Sequence, residues 1–338
     1  MLTSIQTTLT EISTRFADKR TQLCQLEGFE EDDGRFVLQG KVLDNTTLTA
    51  VTHQLQSQFP NIAIDHQAVI VLRQPKPHQL AVITTITGLY NTPGFRSEMG
   101  SELLNGIMVE ILQEEGSWLF VRQTDGYLGW AYRPYLGDVP EIKATHLVCE
   151  PVALLKNAPE TEAPLVNRVL VGTAVVSQTQ RKEWHQIELA GGQTGWLNGR
   201  DVRPSTSFPS SASDQRQQLI ADAYRFIGIP YLWAGISGYG IDCSGYVQAL
   251  YRLCGITLPR DADMQYEAGR VVDTPYQPGD LLFFGSDQGH RRISHVGMSL
   301  GGWQMIHASR SRNGVFVDDV QTVDHLRETF MGARSFLT

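Results

Sequence analysis

One cysteine and two histidines near the C-terminal end of the chain have the side chains and surroundings that nucleophilic catalysis requires. Cys243 follows a glycine-rich loop and precedes a run in which apolar residues recur with the period of a helix. We expect it in the first turn of that helix, where free backbone N–H groups and the helix dipole stabilise an anion. Such a thiol loses its proton more easily than a free cysteine, and the thiolate is the nucleophile. The alternative is a buried structural cysteine.

His295 and His307 lie on two β-rich runs that are separated by the turn signal Gly301-Gly302. A three-residue loop would pair Ser299 with Trp303, and therefore His295 with His307. Directly paired residues point to the same face of a sheet. We therefore expect His295 to be a base for the cysteine and His307 to orient that base, as cysteine hydrolases require.

The same part of the chain carries five short motifs. In order, they are Asp242-Cys243-Ser244-Gly245, Leu258-Pro259-Arg260-Asp261, Gly279-Asp280-Leu281-Leu282-Phe283-Phe284, Ser294-His295-Val296-Gly297 and Ile306-His307-Ala308. With these motifs, the chain from about Asp214 to Thr338 resembles the NlpC-type cell-wall cysteine peptidases. The resemblance implies a papain-like α+β domain, a triad of Cys243, His295 and His307, and hydrolysis of peptidoglycan stem peptides, commonly after D-glutamate.

The resemblance also implies substrate-binding residues around the cysteine. Tyr231 would place its hydroxyl at the active site and assist the oxyanion, together with the backbone N–H of the nucleophile. Asp242 and Ser244 flank the nucleophile. A carboxylate close to a thiol would raise its pKa, so we expect Asp242 to face the bound peptide. Asp261 would lie at the substrate groove as part of the Arg260-Asp261 pair that the family uses there, whereas Ala262 stands where the family often has serine.

An internal repeat occupies about residues 78 to 205. Its markers recur at a period of 66 residues: Leu89, Gly106, Trp118 and Gly129-Trp130 in the first copy, and Leu155, Gly172, Trp184 and Gly195-Trp196 in the second. Short β-rich runs and turn signals lie between the markers, which predicts two small β-barrels. The pattern resembles bacterial SH3-type domains, which often accompany the NlpC-type peptidase.

The resemblance implies a role for the first copy in substrate selection. In family members with such a barrel, a glutamate and a tyrosine contact the free amine of the stem's L-alanine. Glu102 and Tyr127 are the candidates, with Glu98 as the alternative to Glu102, and the second copy has Arg168 and Gln193 at these positions. A carboxylate in a closed pocket rejects peptides that lack the ammonium charge. The alternative is a solvated glutamate and a tyrosine on the barrel surface.

Composition and charge limit the classes of partner. The 338 residues carry a formal net charge of −8, which argues against nucleic acid and anionic membranes. No apolar run is long enough to span a bilayer, and the first residues lack the features of a signal peptide, so we expect a cytoplasmic protein if Met1 is the native start. Four scattered cysteines predict neither a metal site nor a disulfide framework. We expect a monomer without a cofactor.

Together these features predict a multidomain chain in which a papain-like α+β catalytic domain follows two small SH3-like β-barrels and a small N-terminal α+β module. The predicted boundaries are residues 1–75 for the module, 78–140 and 145–205 for the barrels, and 212–338 for the catalytic domain. In the module, which carries no assigned chemistry, Asp44 or Asn45 would cap a helix from about Thr46 to Gln58.

The predicted function is that of a γ-D-glutamyl–diamino-acid endopeptidase. Its substrates would be stem peptides with a free N-terminal L-alanine, as in murein recycling, and the diamino acid would be diaminopimelate or lysine. One alternative is a wall-binding protein whose barrels bind the cell wall and whose peptidase domain is vestigial. Another is a wall-remodelling endopeptidase that acts on intact peptidoglycan.

Overall fold

The computed structural model describes residues 2–31, 34–141, 143–286 and 292–337, with side chains from residue 5 onward. The chain divides into two compact units. Unit 1 comprises Met1–Leu80, Asn91–Arg96 and Met108–Arg133, and unit 2 comprises Ala81–Tyr90, Ser97–Ile107 and Pro134–Thr338. Among the described residues, no helix combines the length and the apolar character that crossing a bilayer requires.

The N-terminal part of unit 1 is an α+β module. Its elements are α1 (Leu2–Thr14), β1 (Cys24–Glu30), β2 (Phe36–Val42), α2 (Asn45–Gln58) and β3 (Ile64–Val71). Strand β2 lies between an antiparallel β1 and a parallel β3. Asp44 caps α2 by accepting the N–H of Thr47 at 2.9 Å, and apolar residues of both helices pack on the sheet. The predicted helix is confirmed as α2, with Asp44 rather than Asn45 as its cap.

The first repeat copy contributes strands to both units. Its strands are β4 (Gln79–Val82), β5 (Ile86–Tyr90), β6 (Met99–Leu104), β7 (Met108–Glu115), β8 (Trp118–Arg122), β9 (Leu128–Tyr132) and β10 (Leu136–Gly137). In unit 1, β7, β8 and β9 form an antiparallel meander, and Leu112, Phe120 and Leu128 on it pack against Leu43 and Leu72 of the module. In unit 2, β5 pairs with β6.

The second repeat copy forms a seven-stranded sheet within unit 2. Its strands are β11 (His146–Val148), β12 (Val152–Lys156), β13 (Leu165–Leu170), β14 (Ala174–Arg181), β15 (Trp184–Glu188), β16 (Thr194–Asn198) and β17 (Val202–Pro204), in the spatial order β13-β12-β16-β15-β14-β11-β17. One apolar cluster, which includes Leu155, Val175, Ile187 and Leu197, fills its interior.

The C-terminal part of unit 2 is an α+β fold around a six-stranded antiparallel sheet. Its elements are α3 (Ala212–Ala223), β18 (Ile236–Ser237), β19 (Gly240–Ile241), α4 (Cys243–Leu253), α5 (Ala262–Ala268), β20 (Arg270–Val272), β21 (Leu281–Gly285), β22 (Ile293–Gly301), β23 (Gln304–Ser309), β24 (Gly314–Asp319), α6 (Asp324–Thr329) and β25 (Phe330–Ser335). The strand order is β20-β25-β21-β22-β23-β24, and α4 packs on β22 and β23. Burial of Tyr246, Val247 and Leu250 on α4 anchors this helix, and with it the cysteine at its start.

The hairpin of β22 and β23 forms as predicted, but its predicted register is wrong. Ser299 pairs with Met305 rather than with Trp303, because a bulge precedes Gly301 and the turn lies at Gly302 and Trp303. Gly301 has φ +123°, which favours glycine, and the hydroxyl of Ser299 accepts its N–H at 3.0 Å. The displacement is two residues, so every side chain stays on its predicted face.

Candidate active site

Cys243 is the first residue of α4, as the sequence predicts. Asp242 caps the helix with an extended backbone, and its carboxylate accepts the N–H of Gly245 at 2.6 Å. A Cβ atom on Gly245 would lie 2.3 Å from the carbonyl oxygen of Gly235, so no side chain fits there. The Asp-Cys-Ser-Gly motif is therefore a helix start that packs tightly against the preceding loop.

The expected fall in the pKa of the Cys243 thiol is wrong for this structure. Burial raises the pKa of Cys243 to about 12, and the neighbouring carboxylate of Asp242 acts in the same direction. The backbone N–H groups of Val296 and Ser244 hydrogen-bond to the sulfur and oppose the rise in pKa, but they do not cancel it. The thiol of the free protein is therefore neutral at pH 7, and the reaction needs a base.

The two histidines meet beside that thiol. His295 Nε2 lies 2.7 Å from His307 Nδ1, and the Val296 N–H that reaches the sulfur belongs to the residue after His295. Burial lowers the pKa of His295 to about 3, and His307 adds to the effect, so His295 is a neutral imidazole at pH 7. A neutral imidazole can accept the thiol proton.

A glycine makes room for the histidine pair. A Cβ atom on Gly297 would lie 2.4 Å from Met305 Sδ and 2.9 Å from His307 Cβ. His307 therefore packs directly against the backbone of β22, where its residue is only 1% exposed. This contact explains the glycine of the Ser-His-Val-Gly motif.

Two further charged residues complete the site: sequence reasoning missed Asp318, and it placed Arg260 at the substrate groove without assigning it a role. Asp318, on β24, has Oδ2 2.9 Å from His307 Nε2. Arg260 is 2% exposed and donates to both carboxylate oxygens of Asp242, at 3.2 and 2.7 Å, and to Ser244 Oγ at 2.9 Å. It also donates to Ser101 Oγ of the first repeat copy at 3.1 Å. The Leu-Pro-Arg-Asp motif was the available signal for Arg260, whereas no local motif marks Asp318.

The other predicted substrate residues lie around this centre. Asp242 and Ser244 are buried and engaged by Arg260, so their contacts with a substrate stay predictions. Tyr231 forms a β-bridge with Ile241 and is near enough to Cys243 for a charge on that sulfur to raise the pKa of the tyrosine. Burial raises the pKa of Tyr231, so its hydroxyl stays protonated and can donate a hydrogen bond. Asp261 is half-buried immediately before α5, and its substrate contact also stays a prediction.

Glu102 of the first repeat copy lies beside the loop that leads into α4. It is buried, and its Oε2 accepts the N–H of Ile236 at 2.9 Å. Burial raises the pKa of Glu102, while Ile236 and Arg260 oppose the rise. Glu98, the alternative candidate, is exposed.

Tyr127 belongs to unit 1, where it is buried and its backbone N–H donates to Asp125 Oδ1 at 3.0 Å. Its predicted contact with the substrate stays a prediction. In the second copy, Arg168 is exposed, and Gln193 at the position of Tyr127 accepts a hydrogen bond from Asn167 at 2.6 Å. The second copy therefore presents no carboxylate at these positions.

Comparison with known proteins agrees with this geometry. The model of the NlpC/P60 family matches residues 228–335, and the model of the bacterial dipeptidyl-peptidase SH3 domain matches residues 89–131. A gamma-D-glutamyl-L-lysine dipeptidyl-peptidase of Bacillus cereus is 31% identical over 266 residues, which cover 71% of this chain and 76% of the relative. The chain belongs to the NlpC/P60 family. It is a cysteine peptidase with an SH3 domain.

Two further family members extend the similarity. A gamma-D-glutamyl-L-lysine dipeptidyl-peptidase of Bacillus subtilis is 29% identical, over 64% of this chain and 74% of the relative. The crystal structure of an NlpC/P60 family protein from Bacillus cereus superposes with a TM-score of 0.69 at 26% identity, covering 77% of this chain and all of that one. The SH3 match lies in the first repeat copy. The sequence repeat and the seven-stranded sheet support a second SH3-like barrel, which stays a prediction.

Proposed function

We propose that this NlpC/P60 peptidase hydrolyses the bond between γ-D-glutamate and the diamino acid in peptidoglycan stem peptides. The observation that carries the proposal is the 2.7 Å contact between His295 Nε2 and His307 Nδ1 beside a cysteine at a helix start. This is the arrangement that activates a thiol for acyl transfer.

The reaction then follows from the positions of the side chains. His295 accepts the proton of the Cys243 thiol as the sulfur attacks the γ-carbonyl carbon of D-glutamate. The oxyanion is stabilised by the N–H of Cys243, which has no acceptor within its helix, and by the hydroxyl of Tyr231. His295 passes its proton to the leaving amine of the diamino acid, and a thioester remains. His295 next takes a proton from water, the hydroxide attacks the thioester, and the proton returns to the sulfur.

Selection of the free N-terminal L-alanine is part of the proposal. Glu102 supplies a buried carboxylate that accepts the backbone N–H of Ile236. Ile236 lies on β18, which precedes β19 and the helix α4 that carries the nucleophile. A buried carboxylate is a partner for an ammonium group and a poor partner for an acetylated amine. Substrates would then be small stem peptides, as in murein recycling, rather than intact wall.

A panel of defined peptides tests the proposal. The panel contains L-Ala-γ-D-Glu followed by meso-diaminopimelate or L-lysine, the same peptides with an acetylated amine, and purified sacculi, with products identified by mass spectrometry. We expect release of L-Ala-γ-D-Glu from the soluble free-amine peptides. Comparing the rates for the diaminopimelate peptide and the lysine peptide will then define the preferred diamino acid. The named relatives act on lysine peptides, so both are included.

The Cys243→Ala variant should be inactive, while Cys24→Ala, which removes a cysteine from the N-terminal module, should retain activity. Turnover by Cys243→Ala would refute the proposal. Binding to sacculi without hydrolysis of any peptide would favour the wall-binding alternative, and preferential hydrolysis of sacculi would favour the wall-remodelling one.

A further inference from the structure

Four polar groups form one connected chain across three neighbouring strands. His295 lies on β22, His307 on β23 and Asp318 on β24, and Arg312 lies in the turn between β23 and β24. The contacts are 2.7 Å from His295 Nε2 to His307 Nδ1, 2.9 Å from His307 Nε2 to Asp318 Oδ2, and 2.6 Å from Arg312 Nη1 to Asp318 Oδ1. We call these four residues the polar chain. The two oxygens of Asp318 thus have different partners.

The polar chain has a defined hydrogen-bond direction that starts at the carboxylate. Hydrogen bonding from His307, together with Arg312, holds the pKa of Asp318 below its usual range, so its oxygens only accept. His307 Nε2 must then carry a hydrogen. In neutral His307, Nδ1 is an acceptor, so the hydrogen of the central bond belongs to His295 Nε2. This leaves a lone pair on His295 Nδ1.

We infer that Asp318 is a positioning residue that sets this direction, so that His295 presents a basic nitrogen to the Cys243 thiol. The inference rests on the proposed function, because it concerns the base of that reaction. The carboxylate of Asp318 contacts His307 and Arg312, and in this inference it does not take the proton. It acts through His307, which is almost fully buried and has no solvent to reset its tautomer.

Arg312 fixes the carboxylate rather than stabilising the fold. Its side chain is 46% exposed, and an exposed ion pair contributes little to stability. Its guanidinium carbon lies 4.2 Å from the centre of the Phe316 ring, which restricts the group that contacts Asp318 Oδ1. Because Arg312 only donates, it requires an acceptor at Oδ1 whatever residue stands at position 318.

The Asp318→Asn variant uses this requirement as a test. Arg312 will hold the amide oxygen, so the amide NH₂ will face His307 Nε2 and donate to it. His307 then carries its hydrogen on Nδ1 and donates to His295 Nε2, and His295 Nδ1 becomes protonated. The base is lost although the shape is conserved. General-base catalysis contributes about 100-fold or more, so we expect at least about that loss in kcat with little change in KM.

Three matched variants separate this effect from a structural one. Asp318→Ala removes the acceptor without supplying a donor, so it should lose clearly less activity than Asp318→Asn. Adding Arg312→Ala to Asp318→Asn frees the amide to turn, and should recover part of the activity. Asp319→Asn is the control, because Asp319 accepts the N–H of Gln321 at 2.8 Å and an amide oxygen can replace it there. Equal losses for the Asn and Ala variants, or no recovery in the double variant, would overturn the inference.

The tautomers are also measurable without any substrate. In ¹⁵N-histidine NMR spectra, His307 should carry hydrogen on Nε2 in the unmodified protein and on Nδ1 in Asp318→Asn, with assignment by a His307→Gln variant. Hydrogen on His307 Nδ1 in the unmodified protein would refute the inference even if the peptidase is active. If the protein cleaves no stem peptide but shows the expected tautomers, the proposed substrate fails and the inference stands.

Discussion

Arg260 and Asp242 form a buried ion pair at the start of the catalytic helix, with 2.7 Å between Nη2 and Oδ2 and the arginine side chain 2% exposed. The pair explains how the chain tolerates a carboxylate next to its nucleophile. Asp242 is needed to cap α4, but its charge raises the pKa of the Cys243 thiol. Arg260 opposes that charge, and it also joins the helix start to Ser101 of the first repeat copy.

Replacing Arg260 with alanine should therefore destabilise the protein and reduce its activity. Removing one member of a buried ion pair leaves an uncompensated charge and costs about 3–5 kcal/mol. The measurement is chemical unfolding followed by tryptophan fluorescence, together with kcat/KM on the stem peptide. Arg260→Lys is the matched variant. It keeps the positive charge but lacks the planar guanidinium group that contacts Asp242 and two serines, so its losses of stability and of kcat/KM should be intermediate. An unfolding midpoint of Arg260→Ala equal to that of the unmodified protein would contradict this account.

Replacing Gly297 with alanine should displace His307 without replacing any catalytic residue. The new methyl group would lie 2.4 Å from Met305 Sδ and 2.9 Å from His307 Cβ, so β23 must move. Displacement of a catalytic group by about 1 Å can reduce turnover by about 100-fold. We expect kcat to fall while the variant stays folded, as judged by circular dichroism.

A second substitution checks that the contact is the cause. Met305→Ala in the Gly297→Ala background removes the closest clash and should recover part of kcat. Unchanged kcat in Gly297→Ala, or further loss in the double variant, would show that the packing of His307 on β22 is unimportant.

Local signals in the sequence predicted the parts of the site that local structure determines. The glycine-rich loop before Cys243 and the helical period after it placed the cysteine at a helix start, which the structure confirms. The alternation along the hairpin placed both histidines on one face, and this result survived a register error of two residues. The error arose because the turn lies at Gly302 and Trp303 and a bulge precedes Gly301. Together they displace the register by two residues, which leaves the faces unchanged.

Local sequence patterns could not predict contacts between residues that are distant in the chain, nor the burial of individual groups. Arg260 of the catalytic domain contacts Ser101 of the first repeat copy, and Asp318 contacts His307 through the register of β23 and β24. The direction of the thiol pKa was predicted wrongly for the same reason. The helix start is a local feature that favours the thiolate, whereas the burial that outweighs it comes from the packing of the whole domain.

The raised pKa of Cys243 predicts slow alkylation at neutral pH. A group whose pKa rises from its usual value to about 12 has almost no thiolate at pH 8, so its reactivity should keep increasing as the pH rises above 9. The measurement is the rate of iodoacetamide modification between pH 6 and pH 10, with peptide mapping to separate Cys243 from the other cysteines. Glutathione in the same buffers is the reference and should react faster at pH 8. A rate that reaches a plateau below pH 7 would instead show a preformed thiolate.

The buried carboxylate of Glu102 predicts selection by charge at the substrate's amino terminus. Glu102→Gln keeps the shape and an oxygen that can accept the N–H of Ile236, but it removes the negative charge. Loss of a buried charge pair costs about 2 kcal/mol or more, which corresponds to roughly a 30-fold fall in kcat/KM. We expect this fall with the free-amine peptide and almost none with the acetylated peptide, so that the kcat/KM values of the two substrates become similar.

Glu98→Gln, at the exposed alternative position, should leave the difference in kcat/KM between the two peptides intact. If Glu98→Gln abolishes it and Glu102→Gln does not, the amine is recognised by the other carboxylate. If neither variant changes the ratio of kcat/KM for the two peptides, neither carboxylate of the first repeat copy recognises the ammonium group.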